Sequence, residues 1–175
     1  MQVDTIGYGN NLQSFIESLK NSFVERVSFD IDNNPTFNKK VIPFEFTYCY
    51  SIRIVTDKEH FDIMTSMTDS SIETFYILAS TEPKTFSRHL EVKSKVKDIE
   101  FKNGAGDYAF KIKIQFENSK LFIYCGEVYD KENNSLDYVI NDEMILVFEI
   151  EKDAETFETI INRRTTMDER KNGSS

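Results

Sequence analysis

The sequence predicts an α+β fold: an antiparallel meander sheet of about eight strands with an N-terminal and a C-terminal amphipathic helix packed on it. Three observations lead there. Between Phe44 and Ile54 the even positions are Phe44, Phe46, Tyr48, Tyr50, Ile52 and Ile54, and the odd ones Glu45, Thr47, Cys49, Ser51 and Arg53. Alternate side chains of a strand share a face, so this segment has one apolar and one mostly polar side. The same alternation returns at Tyr108, Phe110, Ile112, Ile114 and Phe116, with Lys111, Lys113 and Gln115 opposite. Near the N-terminus the apolar spacing changes to three and four, through Leu12, Phe15, Ile16, Leu19, Phe23 and Val27, which makes the stripe of a helix.

The remaining elements follow in order. Gly7 and Gly9 around Tyr8 form a turn into the first helix, which Asn10 caps with Gln13 at the reciprocal position. Val27, Phe29 and Ile31 alternate until Asn33-Asn34-Pro35 stops them. Asp30-Ile31-Asp32-Asn33-Asn34 begins like a calcium loop, but Pro35 and Val41 stand where the glycine and the bidentate glutamate are required. Turn chemistry of Asp and Asn is the better account.

After Pro43 comes the long strand, then a hairpin loop at Asp57-Lys58-Glu59 and a return from His60 to Met67. Ile72 to Ala79 reads as a third strand, although Ser70 and Glu73 also match a helix capping box. Leu90, Val92 and Val96 form a strand whose Lys93, Lys95 and Lys97 mark it as an edge. Asn103–Asp107 is a hairpin loop and Glu117-Asn118-Ser119-Lys120 a tight turn. Leu121 to Val128 is apolar on both faces, as in a strand covered twice. Asp130–Ser135 is a polar loop, Met144–Ile150 the last strand, and Asp153 the cap of a closing helix carrying Ala154, Phe157, Ile160 and Ile161. Residues 1–162 form a single globular domain and 163–175 a disordered tail.

With 175 residues and 23 Phe and Tyr side chains, the chain can build a core without a metal or disulfide. Cys49 and Cys125, each within a strand-like run, are expected as buried thiols of a reducing compartment. Asp4, Asn10, Asn11 and Gln13 interrupt any apolar leader, and no run reaches the ~18 apolar residues of a membrane span. The expected location is the cytoplasm, with no membrane partner.

Charge is uneven. The net charge is −9, and residues 127–158 hold eleven acids against two bases, whereas residues 84–113 hold eight bases against four acids. A negative chain is a poor general ligand for nucleic acid, and its field favours basic partners instead.

Catalytic apparatus is sparse. His60 and His89 have no companion at metal-ligand spacing, and no Gly-x-Ser-x-Gly elbow is present. No cofactor, metal or catalytic residue is expected. The function this reading favours is a small acidic binding protein that neutralises a basic protein partner such as a toxin domain, as immunity proteins do. Its partner-binding residues would be Asp130, Glu132, Asp137, Tyr138, Asp142 and Glu143, on a loop spanning 130–143, with Tyr138 as the aromatic anchor. The alternatives are a phage or host-defence accessory protein binding a small ligand near Tyr48, Tyr50 and Arg53, and a structural component of a larger assembly.

Overall fold

Among the described residues, nine strands and two helices follow the chain as β1 (Asp4–Ile6), α1 (Leu12–Lys20), β2 (Phe23–Ile31), β3 (Thr47–Thr56), β4 (His60–Met67), β5 (Glu73–Ser80), β6 (Arg88–Asn103), β7 (Ala109–Phe116), β8 (Lys120–Lys131), β9 (Ser135–Phe148) and α2 (Glu151–Asn172). The computed structural model describes residues 4–6, 12–37, 39, 42–104, 107–131 and 135–172, with residues 4–6, 12, 14, 135 and 163–172 described by backbone alone.

The alternating runs pair antiparallel, as their period requires, and six of them close a ring: β2 with β3, β3 with β9, β9 with β8, β8 with β7, β7 with β6, and β6 with β2. Closure depends on sharing one edge of β3. Its start, Thr47–Cys49, lies against Val147–Ile145 of β9, and its continuation, Ser51–Val55, lies against Met64–His60 of β4. From that fork β4, β5 and the short parallel β1 branch away. The single meander expected from the sequence is therefore two meanders, β2–β5 and β6–β9, joined by the β2–β6 pairing. β6 is no edge, because β2 and β7 flank it on both sides. Its lysines are exposed because they lie on the wet outer face.

Two apolar cores result. The inner one collects Val27 and Phe29, Cys49, Ile52 and Ile54, Ile112 and Ile114, Ile123 and Ile145, and is plugged by Phe15 and Leu19 of α1 and by Phe61, Ile63, Phe75 and Ile77 of the branch. The outer one lies under α2 and the 37–46 connection, where Phe44, Tyr48, Phe122, Tyr124, Tyr138, Leu146 and Phe148 meet Phe157. β8 lines both, with Ile123 inward and Tyr124 outward, as its two apolar faces predict. Ile72–Ala79 resolves as strand: β5 pairs along its whole length with β4.

The first helix is shorter than its apolar stripe. Ser22 turns its hydroxyl back to the Ser18 carbonyl at 2.8 Å, and Phe23 opens β2. Phe23 and Val27, read as helical, are strand residues, because pairing with both β3 and β6 outweighs local propensity. At the other end, the Ile150 carbonyl accepts from Asp153 N and Ala154 N, while the Asp153 carboxylate accepts from Glu45 N at 3.3 Å instead of capping. α2 then runs to Asn172 through the stretch read as tail, where neither Gly nor Pro intervenes before Gly173. Among the described residues no helix is long and apolar enough to cross a membrane.

Both cysteines are free and buried. Cys49 and Cys125 lie opposite Ile145 from its two sides, so β9 separates them. Two strand spacings, roughly 9–10 Å, exceed the reach of a disulfide.

Candidate functional site

The described residues of the segment 130–143, namely 130–131 and 135–143, lie on strands β8 and β9 rather than on a loop. Asp130 is the next-to-last residue of β8, which ends at Lys131, and β9 begins at Ser135 and pairs back as Lys131↔Ser135, Asp130↔Leu136, Tyr129↔Asp137 and Val128↔Tyr138. Alternation then sorts the residues by face. Val128, Leu136 and Tyr138 turn into the outer core, so Tyr138 is 8% exposed and rings with Phe44 and Phe157. It is a core residue, not the exposed anchor expected of it. Tyr129 and Val139, on the other face, are each 40% exposed. Glu132 lies outside the described residues.

The acidic block is divided by the fold. Cations from outside the block reach several of its members: Arg88 pairs with Glu149 at 2.5 Å, Lys120 with Glu151 at 2.7 Å, and Lys111 and Lys102 with Glu158. Asp137 pairs with Lys131 at 2.8 Å. The block is thus no uniform patch, because residues remote in sequence neutralise it across the sheet.

What remains clusters around a β-bulge. Between Cys125↔Ile145 and Gly126↔Ile140 the ladder slips, and residues 141–144 of β9 stand out as extra chain. Asn141 makes the bend with φ of 57°, in the left-handed region that Asn tolerates. Its buried amide donates to the Glu73 and Ala109 carbonyls at 2.9 and 3.3 Å, tying the bulge to β5 and to the start of β7. A Cβ on Gly126 would stand 2.4 Å from the Val139 carbonyl oxygen, and one on Gly104 2.4 Å from Asn141 Oδ1. Only glycine admits the bulge so closely.

The bulge gathers carboxylates. Tyr129 OH lies 2.6 Å from Glu127 Oε2 and 2.9 Å from Asp142 Oδ2 and has one proton to give. The Glu127 carboxylate that accepts it, helped by burial and by Asp142, pushes this phenol far above its ordinary range. Tyr48 is raised first by burial and then by the charges of Glu127, Asp32 and Asp142. Glu73, at the start of β5, is 9% exposed, and its carboxyl is raised by burial, then by Glu143, then by Asp142. No described Lys, Arg or His forms an ion pair with Asp32, Glu73, Glu127, Asp142 or Glu143. Among the described residues no His, Cys, Asp and Glu group converges tightly enough to hold a metal ion.

Asp142 and Glu143 thus belong to this cluster, together with Asp32, Glu73 and Glu127, which were not among the residues singled out from sequence. Asp32 also accepts Asn34 N at 3.0 Å, the turn chemistry expected of that loop. Of the residues considered for a small ligand, Arg53 is buried and doubly bonded to Asp62 at 2.6 and 2.7 Å, Tyr50 is 53% exposed, and Tyr48 lines an open hollow of about 320 Å³ with Ile42, Phe44 and Phe46. His89 Nδ1 lies 2.8 Å from Ser28 Oγ, but Ser28 is 1% exposed, so that oxygen is shut away from any substrate. No family model, curated protein or solved structure matches the chain.

Proposed function

We propose that this chain is a non-catalytic binding protein that holds a basic segment of another protein against the bulge of β9. The observation that carries the reading is selective neutralisation. Glu149, Glu151, Glu158 and Asp137 have internal cations, whereas Asp32, Glu73, Glu127, Asp142 and Glu143, drawn from four stretches of chain, have none among the described residues. A surface that concentrates unmatched negative charge speeds and orients the approach of a cationic partner. The half-exposed Tyr129 and Val139, on the strands that carry Glu127, Asp142 and Glu143, and the 60% exposed Met67 at the end of β4 supply apolar area. In its narrowest form the reading is an inhibitor that neutralises a basic toxin domain, as an immunity protein does.

The test is affinity capture from the native host with the intact chain and with the variant Glu127→Gln/Asp142→Asn/Glu143→Gln. The intact chain should retain a basic protein, release it as salt rises from about 0.05 to about 0.5 M, and lose it in the triple variant. Equal capture by both chains, or retention of no basic protein, removes the proposal.

A further inference from the structure

The 37–46 connection leaves a hollow over the outer core, about 320 Å³ in volume and lined by Lys39, Ile42, Phe44, Glu45, Phe46 and Tyr48. Its aromatic walls are set without a ligand. Phe46 meets Tyr48 at 90° with ring centres 6.2 Å apart, and meets Phe44 at 51° and 5.8 Å. Behind them Phe148 packs on both Phe44 and Phe46, at 5.6 and 5.7 Å. Rings braced by a packed core keep the shape of the hollow. Two opposite charges border this apolar floor. Lys39 and Glu45 are exposed, and neither forms an ion pair with the other or with any other described residue. The adjoining hollow, which shares Glu45 and Phe46, is different: its cation, Arg88, is already held by Glu149 and by Thr47 Oγ1 at 2.8 Å.

We propose that this hollow binds a free aromatic α-amino acid. The ligand's ring lies against Phe44, Phe46 and Tyr48, its carboxylate accepts from Lys39 Nζ, and its ammonium donates to the Glu45 carboxylate. Volume sets the size. Ligand pockets span about 300–1,000 Å³, so a hollow of about 320 Å³ takes a single or fused ring and excludes a dinucleotide or a longer cofactor. The walls set the ring: the neighbouring aromatic pairs already stand in tilted and edge contact, and a ligand ring extends that series. The two rim charges set the rest. An aromatic acid leaves Glu45 unmatched, and an aromatic amine leaves Lys39 unmatched. An aromatic side chain within a protein brings neither charge. Only the zwitterion answers both. The site is separate from the β9 bulge and does not depend on the basic partner proposed above.

The experiment is an NMR titration of the full chain with phenylalanine, phenylacetate, phenethylamine and N-acetyl-phenylalaninamide. Four chains are compared: wild type, Lys39→Gln, Glu45→Gln, and Ile150→Ala, which alters the adjoining hollow alone. Lys39 and Glu45 are exposed and unpaired among the described residues, so their variants keep the fold. Phenylalanine should bind wild type and Ile150→Ala alike, and each charge variant at least about threefold more weakly, the scale of a solvent-exposed ion pair. Phenylacetate should bind more weakly than phenylalanine and ignore Glu45→Gln, and phenethylamine should bind more weakly and ignore Lys39→Gln. If N-acetyl-phenylalaninamide binds as tightly as phenylalanine, or both charge variants keep full affinity, the assignment to a free amino acid is wrong. If phenylalanine leaves the spectrum of wild type unchanged at about 10 mM, a concentration that reports even millimolar affinity, the hollow is no ligand site.

Discussion

Replacing Gly126 by alanine puts the geometry of the bulge to a direct test. The added Cβ stands 2.4 Å from the Val139 carbonyl oxygen and 3.4 Å from Ile140 Cα and Val139 C. Ordinary van der Waals contact begins near 3.4 Å, so the oxygen must retreat by about 1 Å. That oxygen belongs to backbone within a paired ladder and has no rotamer to escape into. The cost is that of overpacking, about 1–3 kcal/mol. For a chain of this length each kcal/mol lowers the melting point by about 2–4 °C, which makes a fall of roughly 2–12 °C. The displacement has a direction. Glu127 and Tyr129 share β8 and keep their 2.6 Å bond, whereas Asp142 is carried by β9 and its 2.9 Å approach to Tyr129 is lost. Urea unfolding followed by circular dichroism gives the stability, and oligo-arginine titration at fixed low salt gives the site. A Gly126→Ala chain within about 0.5 kcal/mol of wild type and with unchanged binding would refute the claim that close backbone approach builds this cluster.

Three further substitutions have outcomes fixed by the same physics. Asp62→Asn leaves the Arg53 guanidinium, 5% exposed, without its counter-charge and should cost about 3–5 kcal/mol in denaturant unfolding, much of it recovered in Arg53→Met/Asp62→Leu. Burial alone would raise Glu158, but bonds from Lys111 and Tyr124 and the charge of Lys102 outweigh it and hold the carboxyl below its ordinary range. Its contribution is therefore present above the unfolded-state pKa and lost as pH falls through the lower folded value. Glu158→Gln should cost about 1.5–3 kcal/mol at neutral pH and progressively less in acid. For Glu73 the sign reverses: a carboxyl raised in the folded state costs stability progressively as pH climbs from its unfolded-state value through the raised folded one. Glu73→Gln should melt above wild type at neutral pH, with the gap closing as pH approaches the ordinary carboxylate range; a variant that melts below wild type at pH 7 contradicts a carboxyl raised by burial and by Glu143 and Asp142.

Strand period and turn residues were legible because they are local. Phe44–Ile54, Tyr108–Phe116 and the doubly apolar Leu121–Val128 announce their faces within a few residues, and Asp57–Glu59 announces its hairpin by composition. Ring closure was not legible, because it depends on β3 changing partner at Tyr50, which falls between the residues paired with β9 and those paired with β4. Charge was misread for a related reason. Summed along the chain, 127–158 is uniformly acidic, but Arg88, Lys102, Lys111 and Lys120 lie beyond that window and fold onto it. Tyr138 looked exposed because its neighbours Asp137 and Asn141 are polar, yet its own parity matches Leu136 and places it inward. A signal for Glu73 did exist: a lone acid opening the apolar run Thr74-Phe75-Tyr76-Ile77-Leu78 is out of place unless something answers it.

The departures from ordinary folding rules are what mark the site. Ser71 and Asp107 have positive φ in turns between strands, where such conformations are routine, and Lys93 has it in β6 close to the bulge of β2 at Val24/Arg26. At the β9 bulge several costs coincide: Asn141 in the left-handed region, two glycines that admit backbone and amide at 2.4 Å, one phenol proton between two carboxylates, and the Glu73 carboxyl raised by burial and by the charges of Glu143 and Asp142. Each has a simple remedy that would stabilise the chain, Glu73→Gln being the plainest. A fold with two full aromatic cores can tolerate these costs but gains nothing from them in isolation. Their coincidence at one place, on strands that bring Asp32, Glu73, Glu127, Asp142 and Glu143 together, is accounted for if a cation from outside completes the arrangement.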